Sequence, residues 1–312
     1  MTREGRAMPT YPDPRTPDHD PAVEALLQGA VDLHCHSGPA VMPRTLDHHD
    51  QMLEADAAGF RAVVFKDHYY LGSPACLMLE KLVPEAKVRL FSGIVLNNAH
   101  GGINPHAVHH AVTFGAKIIW MPTLSAKNHI DKLSSEASGF PKVEGAPDPI
   151  PVTVLDADGR LTDATKEVLD LIAMGDIILA GGHLGVHELF PLFEEAKARG
   201  VTKMIVNHPT YLIGCSDEDI RGLVAMGVKM EHSITQFIQG RGQKLEAEDA
   251  LHLVKVAGPE NTLFCSDLGL KGANRPVDGY RILIGDLLKL QVSQADIRTM
   301  FGDNAAALLN LQ

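Results

Sequence analysis

The sequence predicts a (β/α)8 barrel, and three observations carry that prediction. Eight short apolar runs rich in β-branched residues alternate with helical patterns along the chain. Several of the helical patterns end in glycine just before the next run. The 312 residues exceed an ordinary single domain and match a barrel of ~250 residues with insertions.

The strand candidates are residues 30–33, 62–65, 88–94, 117–120, 176–179, 203–206, 228–230 and 262–264. They are mostly apolar on both faces, as expected of parallel strands buried on both sides. Helical patterns fall at 46–58, 106–114, 188–199, 217–226 and 246–257. Gly59, Gly115, Gly200 and Gly227 follow helix ends, where a left-handed residue closes the last turn. A doubly wound open sheet is the rival architecture, but no Gly-rich phosphate turn follows the first strand.

Residues 1–20 form a polar, Pro-rich arm, and 21–312 form the barrel domain. One interval breaks the rhythm: between strands four and five, residues 124–165 read as an inserted lid. Within it, 151–162 (PVTVLDADGRLT) reads as a β-hairpin turning at Asp158-Gly159. The last segment, 293–311, reads as capping helices.

Composition narrows the function. Hydrophobic residues make up 45% and charged residues 21%, enough for a full core. The net charge of −11, with no long basic run, argues against nucleic acid and anionic membranes as partners. Four scattered cysteines suggest no disulfide framework. The N-terminus lacks the apolar run of a signal peptide, and no stretch approaches ~18 apolar residues, so a cytoplasmic protein is expected. The Pro-rich arm needs a surface to lie on, and a second copy in a homo-oligomer is one such surface.

The informative excess is histidine, 16 in all. In a barrel, reacting groups come from the C-terminal strand ends. Strand one ends Asp32-Leu33-His34-Cys35-His36, and residues two apart share a face, so His34 and His36 can aim at one atom. Strand two ends Lys66-Asp67-His68, strand five leads to His183, strand six to His208, strand seven to Glu231-His232 and strand eight to Asp267. Imidazoles and a carboxylate converging in this way suit Zn2+, or Mn2+ and Fe2+, with one or two ions per chain. A lone histidine is more often a surface or satisfied core residue, and His48, His49, His109, His110, His187 and His252 fit that reading. Asp32 suits a carboxylate that orients His34 or His36.

These residues resemble the amidohydrolase superfamily, the metal-dependent hydrolases that include the phosphotriesterase-like lactonases. The motifs are VDLHCH, GGHLG, VNHP, CSDLG and a closing MFGDNAAALLNL, in an order that spans residues 31 to 311. His-x-His alone is a weak motif; followed by His, His and Asp on successive strand ends it is strong for the superfamily, though not for a subfamily. The resemblance implies that His34, His36 and Asp267 hold the more buried metal, with Asp267 as proton shuttle. It implies that His183 and His208 hold a second metal. The bridging lysine usual at the end of strand four is missing, since that strand ends Trp120-Met121-Pro122-Thr123. Lys66 on strand two either takes its place or contacts substrate. DLHCHS with KDHYY is also similar to the polymerase-and-histidinol-phosphatase (PHP) phosphoesterases, which would bring Asp67 and His68 into the site. That family expects a glutamate after strand three, where Val95-Leu96-Asn97-Asn98 stands here. The same runs, DLHCHSGPAVMPRT and KDHYY, are similar to a group of uncharacterised amidohydrolase-like proteins.

The expected function is hydrolysis of a small, anionic substrate, a lactone or cyclic amide or ester, by a metal-bound hydroxide. Asp267 would move the proton, and Lys66 or His68 would stabilise the attacked oxygen. Arg44, Tyr69, Tyr70, Asn128, His129 and Tyr211 are the candidate substrate contacts, and Lys127, Lys271 and Arg275 add cations around the mouth. A PHP-like phosphoesterase, a single-metal decarboxylase of the superfamily and a non-enzymatic metal-binding barrel are the alternatives.

Overall fold

In the computed structural model, which describes residues 12–135, 143 and 145–311, eight parallel strands form one sheet in the order β1 to β8. They are β1 (Val31–Cys35), β2 (Ala62–Phe65), β3 (Arg89–Val95), β4 (Ile118–Trp120), β5 (Ile178–Ala180), β6 (Met204–Asn207), β7 (Lys229–Ser233) and β8 (Thr262–Cys265). Each of the eight sequence-predicted runs overlaps one strand. The ring closes where Asp267 N–H donates to His34 C=O at 2.7 Å and His36 N–H donates to Leu268 C=O at 3.0 Å. The (β/α)8 barrel is thus the observed architecture.

Twelve helices are described: α1 (Pro21–Leu27), α2 (His48–Ala57), α3 (Ser73–Leu82), α4 (Pro105–Thr113), α5 (Lys127–Ser135), α6 (Asp163–Met174), α7 (Val186–Ala198), α8 (Asp217–Ala225), α9 (Ala247–Ala257), α10 (Pro276–Lys289), α11 (Gln294–Arg298) and α12 (Asn304–Leu308). The four glycines expected to close helices have φ of 79°, 79°, 90° and 93° at Gly59, Gly115, Gly200 and Gly227. α8 starts on a capping box, Ser216 with Asp219.

Strand side chains alternate between two buried layers. Leu33, Val64, Ile118, Trp120, Ile178, Ile205 and Leu263 fill the barrel, with Ala305, Ala306, Leu308 and Leu309 of the C-terminal segment packed against them. Phe65, Ile94, Ile119, Leu179, Val206 and Phe264 face the helices. The buried Tyr280 hydroxyl, 3.0 Å from Val31 O and 3.1 Å from Phe264 O, pins α10 to the seam between β1 and β8.

Two expectations change. The 151–162 hairpin is shorter than expected: one antiparallel bridge, Leu155 to Leu161, spans its turn, with Asp156 N–H donating to Arg160 O at 2.7 Å and Thr162 N–H to Val154 O at 3.0 Å. Its anchors lie on the barrel rim instead, through Thr153 to Glu188 at 2.6 Å and through Ile150 N–H to Asn98 at 2.9 Å. Part of the expected lid, 136–142 and 144, lies outside the described residues, as do 1–11 of the arm. The described part of the arm docks on its own barrel, with Arg15 paired to Asp286 at 2.7 Å and Gln239 donating to Asp13 O at 3.0 Å. That docking gives residues 12–20 a surface on their own chain. Cys35, Cys76, Cys215 and Cys265 are buried and unpaired, as expected. Among the described residues no helix is long and apolar enough to cross a membrane.

Candidate metal centre

The centre starts with an irregularity in β1. Asp32 pairs with Val63 and Cys35 with Phe65, so β1 carries one residue more than β2 over this stretch. Such a bulge resets the alternation of side chains. Leu33 fills the barrel, and His34 and His36 above it both reach the C-terminal mouth. His34 Nε2 lies 3.0 Å and His36 Nε2 3.2 Å from the same oxygen, Asp267 Oδ1. Asp267 arrives from two residues past β8 in a left-handed backbone, φ 47°. Its approach depends on Gly269, whose φ is 121° and whose Cβ, if present, would stand 1.6 Å from His36 O.

Each imidazole is held from behind. His34 Nδ1 is 3.0 Å from Glu231 Oε1, and His36 Nδ1 is 2.9 Å from Lys66 O. His208 Nδ1 is 3.2 Å from Tyr211 O, His183 Nδ1 is 2.7 Å from His129 Nδ1, and His68 Nδ1 is 2.9 Å from Thr123 Oγ1. With every Nδ1 engaged, Nε2 is the nitrogen each ring has to offer. Glu231 is itself fixed: Asn207 Nδ2 donates to Oε2, and Asn207 Oδ1 accepts from Gly182 N–H at 3.0 Å. Gly182 thereby ties the turn that delivers His183 to the end of β6.

The rings form one group. Centroids are 5.2 Å apart for His34 and His36, 6.4 Å for His34 and His208, 4.9 Å for His183 and His208, and 5.2 Å for His36 and His68. His34, His36 and Asp267 bring their ligand atoms within 4.8 Å of one another. His208 is held at φ 31°, a strained backbone for histidine. Among the described residues the other clustered donors, Asp47, His49 and Asp50, are all exposed.

Charge is concentrated and buried. Burial works against the charged form of His34, but Asp267 and Glu231 outweigh it and raise the ring to about 9. Burial pushes the Lys66 amine down to about 8 against the pull of Asp267 and Glu231. Its Nζ sits 2.9 Å from His34 Nε2 and 5.6 Å above the Trp120 ring, in the place where a cation would meet that nitrogen. Burial works against the Asp267 carboxylate, yet His34 and His36 hold it well below the usual range. Burial, helped by Arg44, lowers His36 to about 3, and burial lowers His183 and His68 as well. His36, His68 and His183 are thus held neutral, while His34, backed by Glu231 at Nδ1, would give up its Nε2 proton to a divalent cation; imidazoles beside an ionised carboxylate are the donor set such a cation takes, so the residues present fit one.

The structure therefore brings together His34, His36, Lys66, His68, His183, His208 and Asp267. It uses other candidates differently. Asn128 Nδ2 donates to His183 O at 3.0 Å and to Leu212 O at 3.1 Å, and with His129 it braces the loop carrying His183. Tyr70 donates to Pro39 O at 2.8 Å and meets His48 at 2.6 Å, holding the loop after β1. Tyr69 stands half-buried beside His68, and Tyr211 beside His208. Arg44 lies buried against Asp67.

His232 turns to the helix side, against Phe264 and Phe237, so it leaves the mouth. Glu231 faces the centre instead, a role the sequence reading did not assign; strand alternation was the signal, since one residue of the pair had to face inward. Asp32 orients the strand backbone rather than an imidazole, accepting from His34 N–H and Ser266 N–H at 3.0 Å each. Where the PHP pattern needs a carboxylate, Asn97 clamps His68 O and Thr123, and Asp67 faces Arg44, so that resemblance is not supported.

Histidines and a carboxylate are thus gathered at the mouth of a (β/α)8 barrel, and several solved structures share the fold. An amidohydrolase from Pseudomonas aeruginosa matches 93% of this chain and 98% of its own, at 12% identity and a TM-score of 0.61. The probable dipeptidase PvdM from Pseudomonas aeruginosa matches over 92% and 96%, at 12% identity and a TM-score of 0.62. An organophosphorus hydrolase from Deinococcus radiodurans matches over 97% and 100%, at 13% identity and a TM-score of 0.54. At such identities the likeness is one of fold. The chain belongs to a family of unknown function, DUF6282, whose model matches residues 29–231. No curated protein matches it.

Proposed function

We propose that this protein is a metal-dependent hydrolase acting on the ester or amide carbonyl of a small molecule. The observation that carries the reading is the convergence of two imidazole Nε2 atoms on one oxygen of Asp267, 3.0 and 3.2 Å away. His34, His36 and Asp267 would hold the first divalent cation, and His183 with His208 would hold a second or complete the first. Zinc suits this set best, with manganese or iron as substitutes. When bound, the metal lowers the pKa of a water to ~7 and polarises a carbonyl.

The chain's own residues supply the rest. The Asp267 side chain is 21% exposed, the opening through which solvent reaches the centre. Its Oδ2 accepts from Ser233 at 2.9 Å, which fixes the plane of the carboxylate that would take the proton of the attacking water and pass it to the leaving group. Lys66, whose Nζ stands 2.9 Å from His34 Nε2, would yield that nitrogen to the cation and set its positive charge beside the attacked oxygen. Most of the mouth's cations have carboxylate partners: Arg44 has Asp67, Lys127 has Asp131 and Arg275 has Glu54. Those pairings take away most of the argument for an anionic substrate and leave lactones and cyclic amides as the class to test.

Acid release from a panel of lactones, esters and cyclic amides by zinc-replete protein tests the proposal. Turnover by the parent, lost in Asp267→Asn with the metal retained, supports it. No turnover on any carbonyl substrate contradicts it. A second reading, decarboxylation, is favoured by Trp120 standing where a bridging lysine is usual; CO2 release from aromatic acids separates it.

A further inference from the structure

A cavity of about 390 Å³ opens between the arm, the start of α1 and one face of α10. None of its lining residues belongs to the metal centre, and α1 leads into the N-terminal end of β1, opposite the mouth. The floor is apolar, formed by Val23 of α1 with Ile282, Gly285 and Leu288 of α10. The α10 residues lie three or four positions apart, so they share one stripe of that helix.

Gly285 is what leaves the floor open. Glycine inside a helix is less stable than alanine, and close packing is the usual reason for one. α10 contains two, and they differ. A Cβ on Gly279 would stand 2.3 Å from Leu268 Cδ1, so packing demands that glycine. A Cβ on Gly285 would meet only Val23 Cγ2, at 3.7 Å, an ordinary contact. Among the described residues, packing does not call for glycine at 285, and its missing side chain is the space at the cavity floor.

The rim decides what kind of molecule fits. Arg15 donates to both oxygens of Asp286, at 2.7 and 2.9 Å, and Lys289 reaches the same carboxylate at 3.2 Å. Arg281 holds Glu24 at 2.7 Å and Asp278 at 3.2 Å. All three rim cations are thus occupied. Asp20 gives one oxygen to Ala22 N–H at 2.7 Å, and its other oxygen has no donor among the described residues. The Asp18 carboxylate feels the Arg15 charge without a hydrogen bond to it. Both carboxylates line the cavity with oxygens to offer.

We propose that this cavity binds a small organic ammonium ion, its alkyl body on Val23, Ile282 and Leu288 and its N–H donors on Asp18 and Asp20. The inference is independent of the reading of the mouth. A carboxylate of the same length would meet cations already paired and carboxylates left bare. An alcohol would keep the apolar contact and lose the charge.

The test titrates the full chain, methyl-labelled and at low salt, with hexylamine, hexan-1-ol, hexanoate and methylamine. Following the Val23, Ile282 and Leu288 methyl signals by NMR separates binding here from binding at the mouth. Hexylamine should shift these signals and bind about fivefold to tenfold more tightly than hexan-1-ol, with hexanoate weaker still. Methylamine, which lacks the apolar body, should bind more weakly than hexylamine. Raising salt to about 0.15 M should narrow the gap between hexylamine and hexan-1-ol. The Asp18→Asn/Asp20→Asn double variant should bring hexylamine down to the level of hexan-1-ol, while asparagine keeps the α1 cap. Gly285→Leu should fill the floor and abolish binding of the six-carbon probes, with the melting temperature kept or raised. Equal binding of hexylamine and hexan-1-ol in the parent overturns the proposal. So does tighter binding of hexanoate, hexylamine binding that persists in folded Gly285→Leu, or no shift of these methyl signals with any probe.

Discussion

Glu231→Gln isolates one link between fold and metal. In the parent, Glu231 Oε1 takes the proton of His34 Nδ1 at 3.0 Å and Oε2 takes a proton of Asn207 Nδ2. Asn207 cannot turn over, because its Oδ1 is held by Gly182 N–H at 3.0 Å. A glutamine at 231 must therefore keep its oxygen towards Asn207 and point its NH2 at His34 Nδ1. That nitrogen must then accept, which moves the imidazole proton to Nε2, the atom facing Asp267 at 3.0 Å. A protonated Nε2 cannot bind a metal.

Restoring the parent tautomer would set two donors against each other at a buried site, a cost of about 1–3 kcal/mol. At ~1.4 kcal/mol per tenfold, zinc affinity should fall by about 10- to 100-fold. Competition against a chelator measures the affinity, and 15N shifts of the His34 ring report the tautomer directly. Fold should be kept, since the change is isosteric and far from the helix layer. Parent affinity in Glu231→Gln, or loss of zinc with an unchanged His34 tautomer, would refute the reasoning.

Three further outcomes follow from the geometry. Lys66→Met should lower kcat by about 10²- to 10³-fold while zinc per chain stays unchanged, read by steady-state assay beside metal analysis; loss of metal would make Lys66 a ligand instead. Gly269→Ala should lower stability by more than ~2 kcal/mol in urea unfolding and weaken zinc binding together, because its Cβ would drive the β8 turn off His36 O; a parent-like midpoint contradicts this. Glu24, held by Arg281 Nε at 2.7 Å, has its carboxyl lowered chiefly by that hydrogen bond, so the pair stabilises above the unfolded carboxylate range and fades as pH falls through the lowered value. Glu24→Gln should therefore cost up to ~1 kcal/mol near neutrality and nothing in strong acid, and a pH-independent cost would contradict the pairing.

How far the sequence was legible depends on the range of the interaction. The barrel follows from local signals: β-branched apolar runs with glycines at helix ends, and those four glycines do adopt positive φ. The histidines at strand ends were readable because strand ends in a barrel share one face. What stayed hidden was set across strands. The extra residue in β1 is defined only against β2, and without it Leu33 and His34 could not both turn inward.

His129, Asn128 and Tyr70 were read as substrate contacts because loops near a mouth carry function, yet each is spent holding another loop in place. The hairpin expected at 151–162 closes at its turn, where Asp156 N–H donates to Arg160 O and Thr162 N–H to Val154 O, but it stays one bridge long because its outer flanks bond to Asn98 and Glu188. Arg44 was read as a substrate contact, and only the fold shows the Asp67 carboxylate beside it.

The central claim is that His34, His36 and Asp267 hold a divalent cation. Metal analysis of protein purified without chelator, for the parent and for the His34→Ala/His36→Ala double variant, tests it most directly. One or two zinc, manganese or iron ions per chain in the parent, falling by at least one in a folded double variant, is the predicted result. A parent that carries no metal and binds none when zinc is supplied would contradict it.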